Sequence, residues 1–499
     1  MAKFNVVTYE GAVGAVRDDR SELFLLAVAN MVGEATFYEA AGERDSRFVE
    51  LVHRVAVADP YWTEGFLRWL RTGANMRSAA LVGAAEATRA LLAAKLPGGR
   101  RIVASVLQRA DEPGEMLAYW TGRYGRAIPK PVKRGVADAV GRLYTEFALL
   151  KYDTAGKGFR FADVIDLVHP EPSAPWQGEL FAYALDRRHG RDTVVPSALG
   201  MVVRNGRLRA AVAGEPGRLL DAEALKAAGM TWEDALSLAG SNLDKAALWS
   251  ALIPTMGYMS LLRNLRNFDQ AGVSDEVAAA VAARLADPEQ VARSKQFPFR
   301  FLAAYRAAPS LRWGHALDEA LSASLANVPE LPGRTLVLVD RSGSMFGRVS
   351  QRSELTNADA AAIFGAAVAV RNHGRADLVQ FGNGSDRIDV RRGESLLRVV
   401  DRFGNLGGTE TLAAVRRHYD GHDRVLIVTD EQVWAHQGDP GSALPAGVPL
   451  YTWNLVGYRA GHGPSGPHRY TFGGLSDAAF RMVGLLERGA DGAWPWLAE

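Results

Sequence analysis

The chain has 499 residues, 48% apolar and 23% charged, with a formal net charge of +2. Such a length argues for about three domain-equivalents of globular protein and against a disordered or fibrous chain. With no cysteine, disulfides, thiolate metal sites and cysteine nucleophiles are all excluded, and the near-neutral balance leaves any nucleic-acid surface to local clustering.

The N-terminus, Met1-Ala2-Lys3-Phe4-Asn5, has no basic stretch leading into an apolar one. No uncharged apolar run reaches membrane-spanning length, so a cytoplasmic protein is the expectation. The first 330 residues carry almost no strand signal. Amphipathic segments recur instead, at Ser21–Val32, Phe48–Ala58, Trp62–Arg71, Ser78–Ala94 and Val132–Leu149. They continue at Trp232–Ala239, Ala246–Leu252, Met256–Phe268, Glu276–Leu285 and Pro298–Ala307. Spacers such as Leu96-Pro97-Gly98-Gly99 and Pro170-Glu171-Pro172 separate them, while Val195–Leu199 and Val202–Arg204 read as loop. Many short helices joined by brief turns predict a helical-repeat architecture.

Two windows in this half lack acids. Between Glu115 and Asp138 lie Arg123, Arg126, Lys130, Lys133 and Arg134, with Tyr119, Trp120 and Tyr124 alongside. Between Glu289 and Asp318 lie Arg293, Lys295, Arg300, Arg306 and Arg312, interleaved with Phe297, Phe299, Phe301, Tyr305 and Trp313. Arg263 and Arg266 form a smaller cluster. Cations for phosphates beside aromatics for unpaired bases are the ingredients of single-stranded RNA binding. Each window taken alone also fits a solvated helix face over a core of aromatics.

From Gly333 the pattern changes to strands alternating with helices. Strands are expected at Thr335–Asp340, Ala376–Phe381, Arg387–Val390, Arg424–Thr429 and Leu450–Val456, and helices at Asn357–Asn372, Ser395–Phe403, Thr411–Tyr419 and Ser476–Glu487. Alternation of this kind predicts a parallel α/β sheet. Its first strand, Leu336-Val337-Leu338-Val339, ends in Asp340-Arg341-Ser342-Gly343-Ser344. A carboxylate followed by two hydroxyls at a strand's carboxyl end suits a hard cation that keeps part of its coordination open. Gly407-Gly408-Thr409 adds a third hydroxyl, and Val425-Leu426-Ile427-Val428-Thr429-Asp430 is a second apolar strand ending in an acid.

This order of motifs resembles the metal-ion-dependent adhesion site of von Willebrand factor A domains, over roughly residues 333–499. The resemblance implies that Asp340, Ser342, Ser344 and Thr409 touch the metal directly or through water, with Asp430 completing its surroundings. Mg²⁺ is the expected divalent cation, with Mn²⁺ or Ca²⁺ as alternatives. Arg341 stands where such domains usually carry a small or apolar residue; it would either pair with an incoming acidic ligand or weaken the metal.

Together, the two halves resemble the TROVE module of the Ro ribonucleoprotein autoantigen family. The strings that carry this are Tyr9-Glu10-Gly11, Val32-Gly33-Glu34 with Phe37-Tyr38, Trp69-Leu70-Arg71 with Ala74–Ala79, and Leu261-Leu262-Arg263-Asn264-Leu265, with Lys151-Tyr152, Asp163 and His169. The fold implied is multidomain. Residues 1–330 would form an all-α HEAT-like helical-repeat ring, and residues 333–499 an α/β, Rossmann-like von Willebrand factor A domain. Also implied are Y-like small noncoding RNA on an outer basic surface, single-stranded 3′ ends of misfolded RNA in the ring cavity, and an RNA tether to polynucleotide phosphorylase. Lys151 and His169 match family positions important for Y RNA; Arg126, Lys130, Lys133 and Arg134 fall in the stretch bordering that surface. Arg123, Arg263 and Arg300 complete the expected RNA contacts. The spacing between Lys151 and His169 departs by one residue from relatives, and Asp153 brings a negative charge into the loop, which implies a different reading of the RNA. His169 before Pro170 also reads as a helix-end residue.

The expected role is thus a non-enzymatic, monomeric RNA-binding scaffold. A protein-binding adaptor whose metal captures a partner's acidic residue is the alternative. A metal-dependent hydrolase fits less well, because no base stands beside Asp340 and the ligand set is rich in hydroxyls. Gly461-His462-Gly463-Pro464-Ser465-Gly466 is read as loop, since Pro464 and Pro467 leave no helix to cradle a phosphate. His418 and His422 are read as a surface turn, because Gly421 breaks the helix that would align them on zinc.

Overall fold

The computed structural model describes residues 18–473, apart from 30–40, 192–193, 242, 295, 297, 327, 329, 350–354, 434–437, 458–460 and 464–467, together with residues 6–7, 13–14, 483, 487, 494 and 496. Tyr9–Gly11, residues 32–38 and most of the expected helix 476–487 lie outside the described residues.

Helices dominate from Asp19–Ala29 to Leu311–Ser324. Pro60–Thr72 illustrates why. Asp59 accepts a hydrogen bond from the Trp62 N–H at 2.9 Å, Pro60 presets the first turn, and Gly73 ends the helix. Trp62, Phe66, Trp69 and Leu70 recur at helical spacing and are buried. The segment expected as one helix over 132–149 is two, Lys130–Leu143 and Glu146–Tyr152. Thr145 breaks it by capping the second, accepting from Ala148 N at 3.2 Å, while Tyr144 leaves the helix to stack on Phe161 with ring centres 3.7 Å apart. Val202–Arg204, expected as loop, lies inside the helix Gly200–Gly214, whose first N–H groups at Met201 and Val202 donate to Glu146 Oε2. A tertiary acid there supplies the cap that the local sequence lacks.

The C-terminal half is a mixed sheet. Two short strands, β1 (Val6–Val7) and β2 (Val13–Gly14), pair by themselves. The main sheet contains β3 (Thr335–Asp340), β4 (Ala376–Phe381), β5 (Ser385–Ile388), β6 (Arg424–Thr429), β7 (Leu450–Asn454) and β8 (Arg469–Gly473), in the order β5-β4-β3-β6-β7-β8. All neighbours are parallel except β4 and β5, so β5 sits two residues earlier than expected because it returns as a hairpin at the edge. β8 was not apparent as a strand from sequence. Every residue of β3 and β6 is buried, which explains their unbroken apolar runs.

The helical path closes on this sheet. One core runs from Leu23 to Val202 and takes in Trp496, a second runs from Leu208 to one face of the sheet, and a third around Leu336, Leu338 and Ile427 packs the other face. At the seam Arg44 Nη2 donates to the Val456 carbonyl at 2.9 Å and Arg47 Nη2 to the Gly457 carbonyl at 3.2 Å. Trp496 lies 5.1 Å from Trp62, 5.2 Å from Phe66 and 5.4 Å from Trp69 between ring centres. Gly65 makes room for it, since a Cβ there would come within 2.4 Å of the Trp496 ring. Among the described residues no helix is long and apolar enough to cross a membrane.

Candidate metal centre and nucleic-acid interface

β3 and β6 are adjacent and parallel, so their carboxyl ends deliver Asp340 and Asp430 to one place. Both side chains are fully buried. Thr429 Oγ1 donates to Asp340 Oδ2 at 2.5 Å, and the Ser342 N–H to Asp340 Oδ1 at 2.8 Å. Ser342 Oγ and Ser344 Oγ are 3.3 Å apart. The Gly407–Thr409 loop is laid alongside by Gly343 N→Gly407 O at 2.6 Å and Leu406 N→Arg341 O at 3.0 Å, with Thr409 buried. Gly407 has φ +80°, a conformation glycine adopts freely, and a side chain there would meet Asn383 at 2.6 Å. Asp340, Ser342, Ser344, Thr409 and Asp430 therefore converge on one end of the sheet.

Burial raises the pKa of both carboxyls, and the charge of Asp340 raises that of Asp430 further. Asp430 Oδ1 accepts from Gln432 N at 3.0 Å, but its buried Oδ2 meets no donor; the Ser344 hydroxyl favours the charge without completing a hydrogen bond to that oxygen. Two neighbouring buried carboxylates and an orphaned oxygen are what a divalent cation would relieve, and an all-oxygen donor set fits a hard one. Among the described residues no group of three or more His, Cys, Asp or Glu could hold a metal. Any metal here would thus rest on hydroxyls as well as acids.

Arg341 does not face an incoming ligand, although its charge acts on Asp340. Its guanidinium is buried beneath the loop, donating to the Gly404 and Ala358 carbonyls, both at 2.6 Å, between the Phe346 and Phe403 rings. It is committed to bracing the loops. His418 and His422 have separate partners, Ser385 Oγ at 2.9 Å and Asp377 Oδ2 at 2.8 Å; both are buried, not in a surface turn.

On the helical side, Lys130 and Arg134 are exposed on one face of Lys130–Leu143, while the half-buried Lys133 borders the face of the buried Val132, Val136 and Val140. Arg126 precedes them in an exposed loop. None of these four has a carboxylate within ion-pair distance among the described residues. Arg123 differs. Its Nε lies 2.9 Å from the fully buried Glu86, which also accepts from Tyr119 and Tyr124 and meets His53 Nε2 at 2.7 Å. Arg123 is neutralised, and its neighbouring tyrosines serve that carboxylate. Trp120 is core.

Lys151 is exposed, its ammonium 5.7 Å from the centre of the Phe147 ring and 5.3 Å from that of Tyr152. Phe147, four residues before Lys151, went unnoticed in the sequence although that spacing was there to be read. His169 is exposed and ends its helix in the left-handed region at φ 47°. Asp153 does not place charge in the loop: it is buried, paired with Arg160 at 2.9 Å and with Arg187, and it accepts from Phe161 N at 2.8 Å. Asp153→Ala should therefore cost on the order of 3 kcal/mol by leaving two half-buried arginines and the buried Phe161 N–H without their acceptor; urea unfolding indistinguishable from the unaltered protein would contradict this.

The second window is mostly structural. Arg306 pairs with Asp359 at 3.0 Å, Arg312 with Asp269 at 3.4 Å and Arg293 with Glu289 at 3.4 Å. Phe301 and Trp313 are buried, and Lys295 and Phe297 lie outside the described residues. Arg300 is exposed as a whole residue, yet desolvation of its charged end and the like charge of Arg263 both lower its pKa. The charges of these two arginines therefore act on one another.

Residues 225–313 match the family model described as the TROVE domain. Telomerase protein component 1 of Mus musculus is 43% identical over 77 residues, and that of Rattus norvegicus 42% over 77, each match covering 15% of this chain and only 3% of the relative. The RNA-binding protein RO60 of Deinococcus radiodurans is 25% identical over 464 residues, covering 85% of this chain and 83% of that one. The crystal structure of the Deinococcus radiodurans RO (RSR) protein superposes with a TM-score of 0.64 at 21% identity, covering 94% of this chain and 100% of the other, a likeness of fold. Over residues 225–313 the chain thus matches the TROVE domain, and over most of its length it is similar in sequence to a bacterial Ro protein and shares that protein's fold.

Proposed function

We propose that the protein is a non-enzymatic RNA-binding scaffold of the Ro type. The observation that supports this is the cluster of exposed Arg126, Lys130 and Arg134 with half-buried Lys133, four cations with no ion-pair partner among the described residues. Free surface cations displace counterions from phosphates, whereas paired ones do not. Structured Y-like RNA would lie on this face and reach Lys151 and His169. Single-stranded 3′ ends of misfolded RNA would enter the ring, with Arg263 and Arg300 as their contacts. Their maturation or decay would fall to a separate exonuclease, such as polynucleotide phosphorylase, tethered by RNA in the cytoplasm.

Asp340, Ser342, Ser344, Thr409 and Asp430 would hold Mg²⁺, supplying an open position for an oxygen ligand. The orphaned Asp430 oxygen favours a second reading, in which that cation captures an acidic residue of a protein partner.

Lys133→Glu and Arg134→Glu should each weaken binding of a small structured RNA about tenfold or more. Replacement of either by alanine should flatten the plot of log affinity against log salt by about 0.9. Filter binding across a salt series reads both quantities. Unchanged affinity in both reversal variants would remove this face from the interface.

A further inference from the structure

Phe147 keeps 43% of its surface exposed, on a helix whose Ala148 and Leu149 are buried. Lys151, four residues on and on the same side, sets its ammonium between the Phe147 and Tyr152 rings. Arg109 covers Tyr152 at 5.5 Å and is itself fixed by Asp111, Nε to Oδ1 at 3.0 Å. The surface thus runs ring, ammonium, ring, guanidinium. Nothing in the packing requires a phenyl ring to stay in water here, and the ammonium beside it has no carboxylate partner among the described residues.

We propose that Phe147 is a stacking platform for an unpaired base of the bound RNA, with Lys151 meeting the phosphate next to it. The proposal rests on the RNA-binding reading above and deepens it by assigning this end of the face to single-stranded nucleotides. A lone ring among cations is too small to centre a protein interface, which needs a contiguous desolvated patch. One base needs no more than one ring, and a single strand alternates flat bases with charged phosphates as this row alternates rings with cations.

The test uses the full chain with two RNAs, a stem–loop carrying 2-aminopurine at its unpaired positions and a fully paired duplex of equal length. Phe147→Ala should weaken the stem–loop about tenfold, leave the duplex unchanged, and abolish the fluorescence quenching that stacking produces. Its salt dependence should stay that of the unaltered protein, whereas Lys151→Ala should flatten it by about 0.7. Phe147→Trp should bind the stem–loop at least as well, since stacking needs only a flat ring. Equal loss on both RNAs, or no loss on the stem–loop, would overturn the platform while leaving RNA binding standing. Failure of the unaltered protein to bind either RNA would instead overturn the reading beneath it.

Discussion

Trp496→Ala is expected to destabilise the protein by roughly 3–5 kcal/mol, although the residue stands only three positions from the chain's end. The side chain is 5% exposed and packs among Trp62, Phe66, Trp69, Phe24 and Trp494. Removing it leaves a cavity walled by aromatic rings that are held by their own helices and cannot collapse inward. Gly65 provides an independent check. Gly65→Ala should be destabilising in the unaltered protein, because its Cβ would sit 2.4 Å from the indole. In the Trp496→Ala background the same change should be neutral, or stabilising by up to about 1 kcal/mol from helix propensity. Urea unfolding of the four proteins closes the cycle. Additive effects would mean that the tryptophan does not occupy the notch.

The metal centre should respond just as clearly. Mg²⁺ at a hundred times its dissociation constant is expected to add about 2.7 kcal/mol to the stability of the unaltered protein and nothing to Asp340→Ala. In chelator-treated protein, Asp430→Asn should raise the melting temperature, because it removes one of two buried charges whose burial and proximity work against ionisation. The same substitution should cancel the response to Mg²⁺. Calorimetric scans with and without the cation read all of this. A full Mg²⁺ response in Asp340→Ala would place the cation elsewhere, and a lowered melting temperature in metal-free Asp430→Asn would mean that the pair stabilises the fold unaided.

The parts of this architecture that could be read from sequence were those encoded locally. β3 and β6 are buried on both faces, so their apolar runs announced them, and the polar residues after each run fell at the end of the sheet where ligands gather. The helix Pro60–Thr72 carries its cap, its proline and its apolar stripe within one segment. What escaped was set by distant partners. A window without acids looks basic, yet Glu86 reaches Arg123 and Asp359 reaches Arg306, from 37 and 53 positions away. The helix Gly200–Gly214 borrows its cap from Glu146, and β5 is short because it turns back at an edge. Arg341 read as a cation at the metal because its neighbours in sequence are ligands; its side chain leaves them and is spent on two carbonyls.

The joining of the first helices to Trp496 also sets a timetable. At roughly 5–20 residues per second, the ribosome adds Trp496 about 20 to 90 seconds after it has added Phe24, Trp62, Phe66 and Trp69. Until then the sides of those rings that Trp496 covers in the folded protein stand open as an adhesive surface. A stop codon or proteolytic cut ahead of residue 494 would make that interval permanent, so prematurely ended products should be recognised by chaperones and cleared sooner than the finished protein.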